Sequence, residues 1–446
     1  MKTNRKILLL GIVLTALPMQ LRAKNWTLKA CIDYALQHNI ALKKNLLTKK
    51  TAWEDLKESQ AALLPSLSLS TSQNVSYTPW PETGSAVVAG TKVQTSVDKV
   101  YYNGSYALNA NWTVWNGNRN RNQVKLNSYA AKQAELDSAT TANTLTEQIA
   151  QLFVQILYSD EAIKVNQESL STSTKNEERG KEMLAIGKMS KADLAQLTAQ
   201  RAQDEYAIVQ AESHLKDYKR QLKQLLQLTD EAFDVIVPET TDEMAMELIP
   251  NLNAVYEQAV ANRPEIKNAK LAIESSELSI KMAQALRMPT VGLSAGFSTN
   301  TTSMNKNAWN SQMRNNLVLG GGVTISVPLF DNRQAKTSIN KARIQRSGYL
   351  LDLQDKQTTL YSTIENYWLQ ANNNQRMFRS AQVSSLSAKE SYTLLSEQFR
   401  LGLKNIVELM TGKDNLLKAR QNELQSKYLA ILNINLLKFY QNGVLK

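Results

Sequence analysis

The sequence predicts a mixed α and β fold: a long α-helical coiled coil joined to a few membrane-type β-strands, all of it built twice in tandem. Three observations predict it. Two long tracts, 118–228 and 333–440, hold no proline and only five glycines between them, which is the composition of long helices. Four short segments alternate apolar with small polar residues at period two. The first half of the chain also aligns on the second at a nearly constant offset.

The chain opens on an expected export signal, residues 1–23. Lys2, Arg5 and Lys6 form a basic start, residues 7–17 an apolar run too short to span a membrane, and Pro18 breaks it before Ala23. The signal holds four basic residues and no acid, so its removal lowers the formal charge from +12 to +8. An exported chain is not expected to meet nucleic acid. Mean hydropathy is −0.37, and beyond the signal no run reaches the roughly 20 apolar residues of a spanning helix. With one cysteine and two histidines, a disulfide scaffold, a cysteine zinc site and a Ser-His-Asp triad lack raw material. Cys31 follows Leu28-Lys29-Ala30, a faint lipobox, but reads better as a small apolar helix position.

In the tracts, Ile149, Leu152, Phe153, Ile156 and Leu157, and later Leu429, Leu432, Leu436 and Phe439, recur at helical spacing. Each tract would run about 100 Å to its turn at 1.5 Å per residue. Helices of that length form a coiled-coil rod rather than a globule.

The strands are expected near 66–77, 102–114, 291–299 and 317–327. Leu67, Leu69, Leu108, Trp112, Leu293, Phe297, Leu319 and Ile325 fall on one parity, and Ser68, Asn109, Gly296 and Gly320 on the other. At about ten residues each, with lipid on one face and water on the other, they match an outer-membrane barrel. Trp112, Trp115, Phe330 and Tyr101 lie near strand ends, where an aromatic girdle would sit.

The repeat divides the mature chain into 24–228 and 252–446, joined by an acidic linker, 229–251, with seven acids and no Lys or Arg. Leu28 aligns with Leu252 and Pro65 with Pro289 at an offset of 224; Trp115 aligns with Phe330 and Gly187 with Gly402 at 215. The nine-residue change falls between the strands of each pair, so only a hairpin loop differs in length. Gly187 and Gly402 are the only tract glycines that align, so the helices are expected to reverse there.

The LLPSLSLS segment at 63–70, VPLFDNR at 327–333 and the paired turns IGKMSKADL at 186–194 and LGLKNIVEL at 401–409, in this order within a double repeat, resemble the TolC family of outer-membrane efflux proteins. The resemblance implies a homotrimer whose protomers each give four strands to one barrel in outer-membrane lipid, continued by a periplasmic helical tunnel. It implies passive conduction of substrates for efflux or type I secretion, with a periplasmic adaptor and an inner-membrane pump as partners. No cofactor, metal site or enzymatic activity is expected; the Gly320-Gly321-Gly322 run lacks the GK[ST] of a phosphate loop. A barrel-free exported scaffold and a trimeric surface adhesin are the alternatives.

By motif position the resemblance also places a gate and adaptor tip at Gly187, Asp193, Gly402, Lys404 and Glu408. Lys404 stands where an arginine latch would sit and Asp193 on its acidic partner, while Glu408 would form an acidic ring in the lumen. Lysine lacks the bidentate geometry of arginine, and Thr411 stands where a second acidic ring is expected. The polar loops 77–101 and 300–316 should face the cell exterior.

Overall fold

A computed structural model describes residues 25–81, 84–88, 91–95, 98–229, 233–238 and 240–445. The expected signal, 1–23, lies outside these residues, as do 82–83, 89–90 and 96–97 of the first loop. None of the described helices is long and apolar enough to cross a membrane.

The repeat is realised element by element. A short helix pair, α1 (Leu28–His38) and α2 (Ile40–Ala61), precedes strand β2 (Ser66–Tyr77); the counterpart pair, α6 (Leu252–Asn262) and α7 (Pro264–Gln284), precedes β7 (Thr290–Thr302). Asn39 caps α2 and also donates to the Leu225 carbonyl at 2.9 Å, and Pro264 opens α7 at its first turn, where its missing N–H costs nothing. Strands β5 (Val100–Trp115) and β8 (Val318–Ser326) then lead into α3 (Arg119–Ala185) and α9 (Gln334–Arg400), each of 67 residues. Consecutive left-handed residues, Gly117-Asn118 and Asn332-Arg333, swing the chain from strand into helix at equivalent places. Helices α4 (Lys191–Leu226) and α10 (Ile406–Asn442) return along α3 and α9.

Strands β2, β5, β7 and β8 form one antiparallel sheet in that order. Register fixes the faces, because residues directly opposite one another share a side. Leu69, Leu108, Phe297 and Leu319 make one cross-strand row; Ser68, Asn109, Gly296 and Gly320 make the neighbouring row on the other face. One detail differs from simple alternation. The β5–β7 register shifts between Thr113 and Trp115, so Trp115 pairs with Val291 and Val114 is left without a partner. The bulge puts Trp115 on the apolar face in the place expected for Val114, because an extra residue reverses parity.

The expected polar loops carry structure of their own. The first holds a two-stranded hairpin, β3 (Gly84–Val88) with β4 (Thr91–Thr95). The second holds a one-turn-and-more helix, α8 (Trp309–Asn315), which lies on the apolar side of the sheet's far end: Thr299 donates to the Met313 carbonyl at 2.8 Å and Trp309 meets Tyr106 edge-on.

The linker is likewise built. Its β6 (Asp234–Val235) pairs in parallel with β1 (Asn25–Trp26), and its α5 (Asp242–Ala245) straps the second hairpin. Its acids meet lysines of the rod: Asp234 pairs with Lys219 at 2.8 Å, Asp242 with Lys427 at 2.9 Å, and Glu247 with Lys438. Beside the strap lies the main core, where Ile149, Phe153, Ile156, Leu222 and Leu226 bury together with Trp26 and Cys31. Burial pushes the Cys31 thiol up to about 12, so it stays an unionised apolar group. Ile364, Ile434, Leu437 and Phe439 form the matching core of the second repeat.

Candidate functional site

Two surfaces are the candidates: the sheet and the far tip of the rod. On the sheet the apolar rows stay open to the surroundings, with Leu69 at 76% and Leu319 at 75% exposed. Apart from α8 at the far end of the apolar side, neither face is covered by another layer, and both edge strands, β2 and β8, keep unpaired backbone groups outward. The polar face is Ser66, Asn111, Ser294 and Gly322 in one row and Ser68, Asn109, Gly296 and Gly320 in the next. Small uncharged groups of that kind can line water without narrowing a passage. Glycine also has a steric cause at Gly296, where a Cβ would sit 2.5 Å from the Leu108 carbonyl oxygen.

At the other end, both hairpins turn through a left-handed glycine, Gly187 at φ 76° and Gly402 at φ 77°. A Cβ added at either glycine would meet open space beyond the adjoining residues, so backbone conformation alone selects glycine. Each turn ends in a cap. Ser190 accepts from the Asp193 N–H at 3.0 Å, and its hydroxyl donates to the Asp193 carboxylate at 2.8 Å. In the second turn Asn405 and Glu408 close a reciprocal capping box at 2.9 and 3.2 Å. Asp193 and Glu408 are thus equivalent third-position residues that start α4 and α10.

Lys404 donates to Glu408 at 2.6 Å, and this hydrogen bond, then the Asn405 N–H, holds the Glu408 carboxyl below the usual carboxylate range. Among the described residues no ion pair joins Lys404 to Asp193. Within one chain, the expected partners of the latch are each engaged inside their own turn. The signal for this was in the sequence, as Ser190-x-x-Asp193 and Asn405-x-x-Glu408, the two-residue signature of a helix start. Thr411 returns its hydroxyl to the Val407 carbonyl at 2.8 Å.

The tips are joined above these turns by Leu197, Phe399, Ile406 and Leu409. Around the turns the large apolar side chains of Ile186, Leu401, Leu403 and Val407 stand exposed. Among the described residues there is no cluster of metal-ligating side chains.

A sheet with one lipid-facing and one water-facing side, set on a rod of about 100 Å, defines a subunit of an outer-membrane channel with a periplasmic helical domain. Comparison with known proteins gives the particular kind. The model of the outer membrane efflux protein family matches residues 31–227 and 255–440, and the chain belongs to that family. Relatives include toxin and drug export protein A of Aggregatibacter actinomycetemcomitans, 21% identical over 72% of this chain and 69% of that one. Outer membrane protein TolC of Escherichia coli K12 is 18% identical over 96% and 84%. Among solved structures, the CusC channel superposes with a TM-score of 0.80 at 17% identity, covering 94% of this chain and 92% of that one. The open state of the Neisseria gonorrhoeae MtrE outer-membrane channel gives 0.74 at 15%, covering 93% and 88%.

Proposed function

We propose that three copies of the chain close one barrel, β8 of each pairing with β2 of the next, and that the hairpins continue it as a tunnel across the periplasm. As a member of its family the protein is an outer-membrane exit duct for efflux. The finer reading adds the homotrimer, an inner-membrane pump that drives the substrates, and a periplasmic adaptor that docks on the tip.

The observation that carries it is the sheet's two open edges in lipid. Four strands cannot close a barrel, and an unpaired edge in hydrocarbon leaves each N–H and C=O without water at a cost of several kcal/mol. Joining the β8 edge of one copy to the β2 edge of the next, head to tail around a closed ring, removes both kinds of edge at once. The exposed apolar side chains at 186, 401, 403 and 407 support a docking surface for the adaptor at the turns.

Detergent extraction, cross-linking and planar-bilayer recording test this reading. The expected result is a membrane-bound trimer that conducts. A monomer, or recovery in the soluble periplasm, would overturn it. Deleting the gene and profiling susceptibility to a broad panel of toxic compounds then assigns the cargo; unchanged susceptibility throughout would argue against an efflux role.

A further inference from the structure

The apolar side of the sheet changes character toward its far end. Beyond the row of Leu69, Leu108, Phe297 and Leu319, the next rows on the same side are Thr71, Tyr106 and Thr299, then Gln73, Gly104 and Thr301. Gln73 donates to the Tyr106 hydroxyl at 2.7 Å, and Thr299 is buried beneath α8. Hydroxyl and amide groups on the lipid parity mark the height at which hydrocarbon gives way to headgroups.

Helix α8 is fixed at that height because it stands in for a strand. Pairing of β8 with β7 ends at Val318 opposite Ser298, so no strand lies beside residues 299–302 on that edge. The Ser303 N–H donates to the Tyr102 carbonyl, which leaves Asn300 and Thr302 with their backbone groups turned to the open edge. Asn316 donates to the Asn300 carbonyl at 2.7 Å, and buried Gln312 accepts from the Thr302 N–H at 2.8 Å. The same Gln312 amide donates to the carbonyls of Thr302, Asn305 and Asn307 at 3.1, 3.0 and 2.8 Å. Two amide side chains thus close the edge and hold the preceding loop on the helix.

The surface so fixed is amphipathic and cationic. Trp309 and Met304 are exposed, and so are Lys306 and Arg314, the only charges between 300 and 316. No Asp or Glu occurs between Glu277 and Asp331, and among the described residues neither cation makes an ion pair. An indole favours the boundary of the hydrocarbon, and a guanidinium fork matches a phosphate. We propose that α8 and its loop bind the phosphate-bearing headgroup of an outer-leaflet lipid, with Trp309 at the boundary and Lys306 and Arg314 on the phosphate. The lipid's chains lie along Phe297 and Leu319, the apolar row next to the site, which makes the site continuous with the membrane surface of the sheet. This inference rests on the reading of the apolar rows as the lipid side.

Native mass spectrometry of the detergent-purified protein tests it, by counting bound molecules during titration with short-chain phosphatidic acid, phosphatidylcholine or inorganic phosphate. Wild type should hold phosphatidic acid in preference to phosphatidylcholine, and equimolar inorganic phosphate should not displace it. Lys306→Gln with Arg314→Gln should weaken that binding about tenfold or more, and Lys99→Gln in the other outer loop should leave it unchanged. Gln312→Ala keeps both charges but frees the loop, and should weaken binding by less than the double variant does. Equal retention of the two lipids, wild-type retention by the double variant, or an equal loss in Lys99→Gln would overturn the proposal. Displacement by inorganic phosphate would make this a free-anion site, and loss of the oligomer in the double variant would assign the cations to the seam between copies; either result overturns the lipid assignment. A nitroxide on Leu69→Cys in lipid vesicles checks the underlying reading separately. Relaxation by oxygen above that by a water-soluble nickel chelate supports the lipid side, and the reverse would sink that reading whatever the lipid titrations give.

Discussion

Asp193 and Glu408 show how one side chain is claimed by its nearest backbone first. A carboxylate three residues into a helix meets unsatisfied N–H groups and the positive end of the dipole, and both acids are spent there before any contact across the tip. Replacing Asn405 by alanine should therefore loosen the first turn of α10 by about 1 kcal/mol, read as faster amide exchange at residues 406–409. The pH dependence follows from the same contacts. Because the folded Glu408 pKa lies below its ordinary 4.5, the cap is complete above the ordinary range and is lost only as the pH falls through the depressed value. The protection factor at this turn, with intrinsic exchange divided out, should be flat above pH 5 or so and fall only in stronger acid; a loss of protection near neutrality would contradict the assignment. Lys404→Glu places two like charges side by side at this turn. We expect higher single-channel conductance, with Asp193→Lys restoring closure only in part, since it also removes the α4 cap. Wild-type conductance in both variants would exclude these residues from the gate.

At the scale of elements, the two hairpins solve one packing problem in mirror fashion. A Cβ on Gly180 would come within 2.6 Å of Leu197 Cδ1, and a Cβ on Gly412 within 2.6 Å of Leu395 Cδ1. Gly180 is equivalent to Leu395 and Leu197 to Gly412 at the 215-residue offset. Each hairpin keeps one glycine and one leucine at the same close approach, with the helices exchanged. Summed volume, not the identity at either site, is what the crossing requires. Gly180→Leu alone should cost about 1–3 kcal/mol through overpacking, and adding Leu197→Gly should recover most of it. Thermal unfolding of the purified protein checks this; two losses that simply add would mean the sites are independent.

On the scale of the whole molecule, the sheet's two faces should respond oppositely to charge. Leu69→Arg sets a cation in the lipid-facing row and should cost about 2–4 kcal/mol if that row lies near the bilayer midplane. Ser68→Arg, one residue away, points to the water-filled side and should leave stability close to wild type while shifting ion selectivity. Denaturant titration in lipid vesicles separates the two, and equal costs would mean that the faces are misassigned. The linker acts at this scale too. Its acids, paired with Lys219, Lys427 and Lys438, fasten the junction between repeats to helices of both, which fixes the hairpins side by side.

The sequence by itself determined whatever depends on local periodicity and on the repeat. Long breaker-free tracts, period-two strands and equal offsets dictated two 67-residue helices, four strands and turns at Gly187 and Gly402, because backbone geometry and side-chain alternation are written in neighbouring residues. The Trp115 bulge, the hairpin and helix inside the outer loops, and the pairing of the linker escaped it. The bulge, the helix and the linker depend on partners far along the chain, Val291 for Trp115, Tyr106 for Trp309 and Asn25–Trp26 for Asp234–Val235, whereas the hairpin is local but its five-residue strands are too short to show an alternation. The tip divides in the same way. Its caps were legible as Ser190-x-x-Asp193 and Asn405-x-x-Glu408, whereas the joining of Asp204 to Lys413, 209 residues apart, was decided only by tertiary structure, since a charge shows no preferred partner until folding takes it out of water.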